Sequence, residues 1–162
     1  MSCRESTRLK FSEYLDLNGT LTYTNVGTSM MPLLRQGRDL FTITKKTGER
    51  YKAGDVVLYE RPPEKYILHR IIEVRENDYI ILGDNCISKE YGITDKNILG
   101  VMTSYTRAGV EYSVNSLSYK IYTFLIMHTI GTRIFLKKVF HKLKRVIKFF
   151  IYHGQTRIQK NS

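Results

Sequence analysis

Two apolar runs, YILHRIIEV (Tyr66 to Val74) and YIILG (Tyr79 to Gly83), flank the polar tetrapeptide REND (Arg75 to Asp78). Short β-branched and aromatic runs bounded by turn residues satisfy their backbone groups by pairing, so this stretch is expected to close as an antiparallel hairpin. Similar runs recur along the chain: TLTYTNV from Thr20, LFTITK from Leu40, VVLYER from Val56, NILGVMTSY from Asn97 and a partner strand after TRAG. Ahead of them, RLKFSEYLDLNG reads as a short amphipathic helix stopped by Asn18 and Gly19. The body is therefore expected to be mainly β with a short amino-terminal helix. With 42% hydrophobic residues, including 12 Tyr and 7 Phe, the chain can bury a core, which excludes global disorder.

Charge divides the chain at a different place. All 15 acidic residues lie at or before Glu111, whereas the segment from Tyr112 to Ser162 carries ten Lys or Arg and no acid. The expected domains are a catalytic β body over 1–116 and a basic helical tail over 117–162. On a helical wheel, Leu136, Val139, Phe140, Leu143, Val146, Ile147 and Phe150 share one side of the segment Leu136 to Ile151. Lysines, Arg145 and His141 fill the other, and Phe149 is an outlier. A basic amphipathic helix of this kind fits an anionic membrane surface. Duplex DNA offers no apolar counterpart, so no specific nucleic-acid partner is expected. The bland alternative is a helix packed on the body with a solvated basic face. The first 28 residues are charged and contain no secretory h-region. The longest uncharged apolar stretch, Ile121 to Thr132, is shorter than the roughly 20 residues of a spanning helix. The expected location is peripheral, on the cytoplasmic face of a membrane, with a span through 119–136 as the alternative.

Three residues carry candidate chemistry. Ser29 sits in GTSMMP (Gly27 to Pro32), a turn that presents one hydroxyl from an apolar frame. A serine hydroxyl needs a neighbouring base to become a nucleophile. His69 is the sole histidine of the β body, and histidine titrates near neutral pH. Asp84 follows the second hairpin strand, where a carboxylate can orient an imidazole and stabilise its charged form. Each has a plainer reading: a turn serine, a hydrogen-bonded core histidine and an Asp-Asn turn. Cys3 and Cys86 suggest neither a disulfide framework nor a zinc site, the four histidines have no metal-ligand spacing, and no cofactor is expected.

The ordered set of motifs resembles the signal peptidase I family. Gly27 to Pro32 resembles its Ser-Met-x-Pro nucleophile box, and YKAGDVVLYE (Tyr51 to Glu60) its Gly-Asp-plus-strand segment. LHRIIEV (Leu68 to Val74) resembles the general-base box, LGDN (Leu82 to Asn85) the Gly-Asp-Asn box, and ILGVM (Ile98 to Met102) the closing strand. Most bacterial members and the related SOS-type repressors have lysine at the base position. His69 followed by Arg70 is similar to the endoplasmic-reticulum type. The resemblance implies a signal-peptidase-like or SOS-repressor-peptidase-like β-fold. It also implies cleavage of leader or signal peptides after small residues, an extended peptide substrate, Ser29 as nucleophile, His69 as general base and Asp84 as orienting acid.

The sequence departs from that family in three ways. The usual amino-terminal anchor does not precede Ser29. The second aspartate after Gly-Asp-Asn is absent from CISKEYG, where Glu90 is the one nearby acid. The position two before the serine, a hydroxyl residue in lysine-type relatives, is Gly27. Two other readings stand beside the enzyme: a pseudo-peptidase that binds peptide or membrane through the same groove and tail, and a self-cleaving regulator. The second is disfavoured because both Ala-Gly pairs, Ala53-Gly54 and Ala108-Gly109, follow Ser29 and no DNA-binding domain precedes it.

Overall fold

The computed structural model describes residues 10–45, 48–63 and 65–159, with side chains through 148. Cys3 lies outside the described residues, as do the side chains of Phe149, Phe150, Ile151 and His153. The fold is mainly β, with helices at both ends. Helix α1 (Phe11–Asn18) ends where Gly19 takes φ 71°, a left-handed cap that suits glycine. Strands β1 (Thr20–Thr24), β2 (Leu40–Thr44), β3 (Val56–Arg61), β4 (Lys65–Val74), β5 (Tyr79–Leu82), β6 (Glu90–Ile93), β7 (Ile98–Arg107) and β8 (Val110–Ser113) follow. All pair antiparallel in the order β1-β2-β7-β3-β4-β5-β6, with β8 on β7. Helices α2 (Leu117–His128) and α3 (Ile130–Gln159) complete the chain.

The sheet buries residues on both faces, so its central strands read as continuous apolar runs. On one face Leu15, Met30, Leu34, Ile43, Leu58 and Leu68 form a core. On the other, Tyr51, Val57, Tyr59, Ile71, Tyr79 and Ile81 form a second. Each such apolar side chain contributes about 1.5–3 kcal/mol on burial. Alternation along β4 sends Leu68 and Arg70 to the first face and Ile67, His69 and Ile71 to the second.

One irregularity decides which acid meets which base. The hairpin pairs Val74 with Tyr79 and Glu73 with Ile80, but then Ile71 with Ile81 and Arg70 with Leu82. Ile72 is therefore an extra residue, a bulge in β4. Continued without the bulge, the turn's register would set His69 opposite Asp84. The one-residue slip moves Asp84 to the Arg70 side instead.

The compact first unit runs through Met127, beyond the boundary at 116 that the charge pattern suggested. Tyr119 and Ile126 of α2 are buried, and Tyr119 and Tyr122 pack against the first core. The second unit, from His128, consists of α3. Its exposed side chains include Leu136, Val139, Phe140, Leu143, Val146 and Ile147. No helix among the described residues is long and apolar enough to cross a membrane, so the alternative of a span through 119–136 is not supported.

Candidate active site

Ser29 is carried on the turn between β1 and β2, and the turn is held from three sides. Asn25, buried, donates from Nδ2 to the Gly27 carbonyl at 3.1 Å. The Gly27 N–H donates to Gln36 Oε1 at 3.0 Å, with Gly27 at φ 83°, where a side chain would be strained. Met30, Leu33 and Leu34 are fully buried, so the apolar residues after the serine anchor the turn in the first core. Ser29 itself stays half-exposed.

The Gly83-Asp84-Asn85 turn clasps this segment. The Asn85 N–H donates to the Ser29 carbonyl at 2.7 Å, and its Nδ2 to the Thr28 carbonyl at 3.1 Å. Gly83 is the point of closest approach. A Cβ there would lie 2.8 Å from the Ser29 carbonyl oxygen, 2.9 Å from His69 Nε2 and 2.7 Å from Cys86 Sγ. Only a residue without a side chain lets the Ser29 turn and the imidazole converge at this point. The Ser29 carbonyl and His69 Nε2, forty residues apart in sequence, thus both border Gly83.

His69 lies on β4 opposite Val57 of β3 and is 7% exposed. Its Nδ1 stands 3.2 Å from Glu90 Oε1 and 3.4 Å from the Tyr59 hydroxyl. The Tyr59 hydroxyl donates to Glu90 Oε2 at 2.7 Å, and Arg61 also donates to that oxygen. Register explains the meeting: Ile71 pairs with Ile81 and Ile81 with Glu90, so all three share a face with His69. Burial pushes the His69 pKa below its ordinary value, against the opposing pull of Glu90. Burial would raise Glu90, but the hydrogen bonds from Tyr59 and Arg61 and the neighbouring positive charges outweigh it and hold the carboxyl below its usual value. Tyr59 is pushed up by burial and by Glu90, so it remains a proton donor. An ionised Glu90 can only accept, which assigns the imidazole proton to Nδ1 and the lone pair to Nε2, on the Ser29 side.

Asp84 occupies a different place from the one expected of an orienting acid. Its Oδ1 and Oδ2 accept from Arg70 Nε and Nη2, each at 2.8 Å, and Oδ2 also accepts from the Tyr122 hydroxyl at 2.9 Å. The carboxylate at His69 Nδ1 is that of Glu90. The physical reason is the Ile72 bulge, which puts the Asp84 turn on the face of Arg70.

No family model, curated protein or solved structure matches this chain.

Beside Ser29 opens a cavity of about 250 Å³, lined by Phe11, Tyr23, Leu58, Tyr66, Ile67 and Leu68 among others. Phe11 stacks on Tyr66 at 4.6 Å and meets Tyr23 edge-on at 4.8 Å, so α1 supplies one wall. The cavity runs between β1, which pairs on one side with β2, and the Lys65–His69 half of β4, which pairs on one side with β3. Two strand edges therefore border the groove that holds the serine. Among the described residues, no three His, Cys, Asp or Glu side chains converge to hold a metal ion.

Sequence reasoning did not single out Tyr59 and Arg61, the two donors that steady Glu90. In CISKEYG, where Glu90 is the one nearby acid, Glu90 to Ile93 pair with β5 as β6, a strand the sequence pattern did not mark. The available signal was the parity of Tyr59 with Val57 in VVLYER, which sets both on the face of His69.

Proposed function

We propose that this chain is a serine endopeptidase acting on extended peptides, with Ser29 as nucleophile, His69 as general base and Glu90 as orienting acid. The observation that carries the reading is the convergence at Gly83. A neutral imidazole, proton held on Nδ1 by Glu90, offers Nε2 to the turn that bears Ser29. In the reaction, Ser29 Oγ attacks the scissile carbonyl as His69 Nε2 takes its proton. The imidazolium, stabilised by Glu90, then protonates the leaving amine. Water, deprotonated by the same nitrogen, releases the acyl group and restores the serine. A peptide added as a strand in the groove between β1 and β4 would align its backbone by hydrogen bonds and seat alternate side chains in the cavity. The motif order resembling signal peptidase I supports leader or signal peptides as the substrate class. In this reading Asp84 holds the Gly83–Asn85 turn, and the carboxylate at the imidazole Nδ1 is that of Glu90.

The reading extends to a membrane surface as partner. Helix α3 exposes Leu136, Phe140, Leu143 and Ile147 on a segment rich in Lys and Arg and free of acids. Such a helix lies in the headgroup region of anionic lipid and would bring the peptidase to membrane-proximal substrates.

The test is cleavage of a quenched-fluorescent peptide with small residues before the scissile bond, together with fluorophosphonate labelling. Wild type cleaves and is labelled at Ser29; Ser29→Ala and His69→Ala do neither while remaining folded. Cleavage by Ser29→Ala at the wild-type rate would refute the assignment.

A further inference from the structure

A buried network links α2 to the nucleophile turn. Arg70 has no solvent exposure and spends its donors in three directions. Nε and Nη2 hold Asp84, while Nη1 donates to the Gly54 carbonyl at 2.7 Å, Thr123 Oγ1 at 3.2 Å and the Tyr119 hydroxyl at 3.3 Å. Tyr122 reaches past Arg70 and donates its hydroxyl to Asp84 Oδ2. The guanidinium carbon sits 5.7 Å from both the Tyr119 and Tyr122 ring centroids. Asp84 lies between Gly83 and Asn85, whose atoms touch or hydrogen-bond the Ser29 segment. The chain of contact therefore runs from α2, through Tyr122 and Asp84, to the Asn85 N–H and the Ser29 carbonyl.

We infer that α2 is a positioning element for the nucleophile, with Tyr122 as its positioning residue: its hydroxyl fixes Asp84, and through Asp84 the turn that sets Ser29 against His69. The geometry separates this role from acid–base chemistry. Tyr122 and Asp84 lie on the Arg70 side, whereas the groups that hold the imidazole at Nδ1, Glu90 and Tyr59, lie on the other face of β4. A positioning hydroxyl alters where the serine stands and leaves in place the burial and the Glu90, Arg61 and Asp84 charges that set the proton affinity of His69. It also has a clear energetic basis. A guanidinium fork already orients a carboxylate, and a further donor from a separate element ties that orientation to α2. A misplacement of about 1 Å between reacting groups costs about a hundredfold in rate.

The kinetic arm of this inference rests on the peptidase reading; the structural arm does not. In the full chain, Tyr122→Phe deletes one hydroxyl and keeps the ring beside Arg70. With the quenched-fluorescent peptide, kcat should fall by about tenfold or more at unchanged KM, and the acid limb of the pH profile should stay where it is in wild type. By amide hydrogen exchange, the Asn85 N–H should exchange about tenfold or more faster, while amides in the β3–β7 ladder keep wild-type protection. Tyr112→Phe, which removes a hydroxyl from the same core without touching Asp84, should change neither readout. Faster exchange across the whole ladder, with a matching fall in melting temperature, would mean general stabilisation only and would overturn the inference. Unchanged Asn85 exchange would overturn it as well, whatever the kinetics. If Ser29→Ala cleaves as wild type does, the peptidase reading fails and the exchange result alone decides the role of α2.

Discussion

Nδ1 of His69 stands 3.2 Å from Oε1 of Glu90, the first residue of β6. Under the proposed peptidase reading, this contact predicts how activity depends on pH. Burial lowers the His69 pKa below 6.5, and the base works only when neutral. Activity should therefore be full at neutral pH and fall only as pH drops through a value below 6.5. Glu90 pulls that value upward, so Glu90→Gln should move the acid limb to still lower pH. It should also lower kcat by about tenfold, because the imidazolium loses its counter-charge. A pH profile of kcat/KM for both proteins checks the two effects, and a limb moving toward alkaline pH would contradict the placement of Glu90.

Folding stability should follow the same two groups. Glu90 has a depressed pKa in the folded state, so its contribution is present above the ordinary carboxyl range and is lost as pH falls through the depressed value. His69, also depressed, binds its proton more readily in the unfolded chain, so acidification below 6.5 draws the protein toward unfolding. Urea midpoints should therefore decline from pH 7 to pH 4, and His69→Gln should flatten the upper part of that decline.

Asp84→Asn should act on stability before chemistry. It leaves the Arg70 guanidinium buried beside a neutral amide, and breaking one partner of such a pair costs about 3–5 kcal/mol. Urea unfolding of Asp84→Asn and Glu90→Gln separates the roles. The first variant should lose far more stability, and the second more of its turnover per folded molecule.

Gly83→Ala tests the convergence directly. The added methyl meets a backbone oxygen at 2.8 Å and the base nitrogen at 2.9 Å, and the backbone cannot swing aside as a flexible side chain would. Turnover should fall by about a hundredfold. Cleavage at the wild-type rate would show that Ser29 and His69 do not work across this position.

Membrane attachment should depend on α3 in the full chain. Each basic residue near an anionic surface contributes about 1 kcal/mol. Replacing Lys138, Lys142, Lys144 and Arg145 by Glu should abolish flotation with phosphatidylglycerol vesicles. Replacing Phe140, Leu143 and Ile147 by Ser should weaken it, as should high salt in the wild type. Unchanged flotation of both variants would move the contact off α3, and tight duplex DNA binding without flotation would favour a nucleic-acid partner.

Much of this protein is legible in local patterns. The β runs, the Asn18-Gly19 stop and the amphipathic tail follow from periodicities that act over a few residues. So do the turn chemistry around Ser29 and the parity of His69 with Ile67 and Ile71. Tertiary structure decided what depends on register. Whether His69 faces Asp84 or Glu90 turns on a single extra residue, Ile72, since a one-residue slip reverses the face of everything beyond it. The length of the compact body was likewise undecided by charge. Lys120 and the neutral residues around it resemble the tail in composition, yet Tyr119 and Tyr122 belong to the body, where their hydroxyls bond the buried Arg70–Asp84 pair.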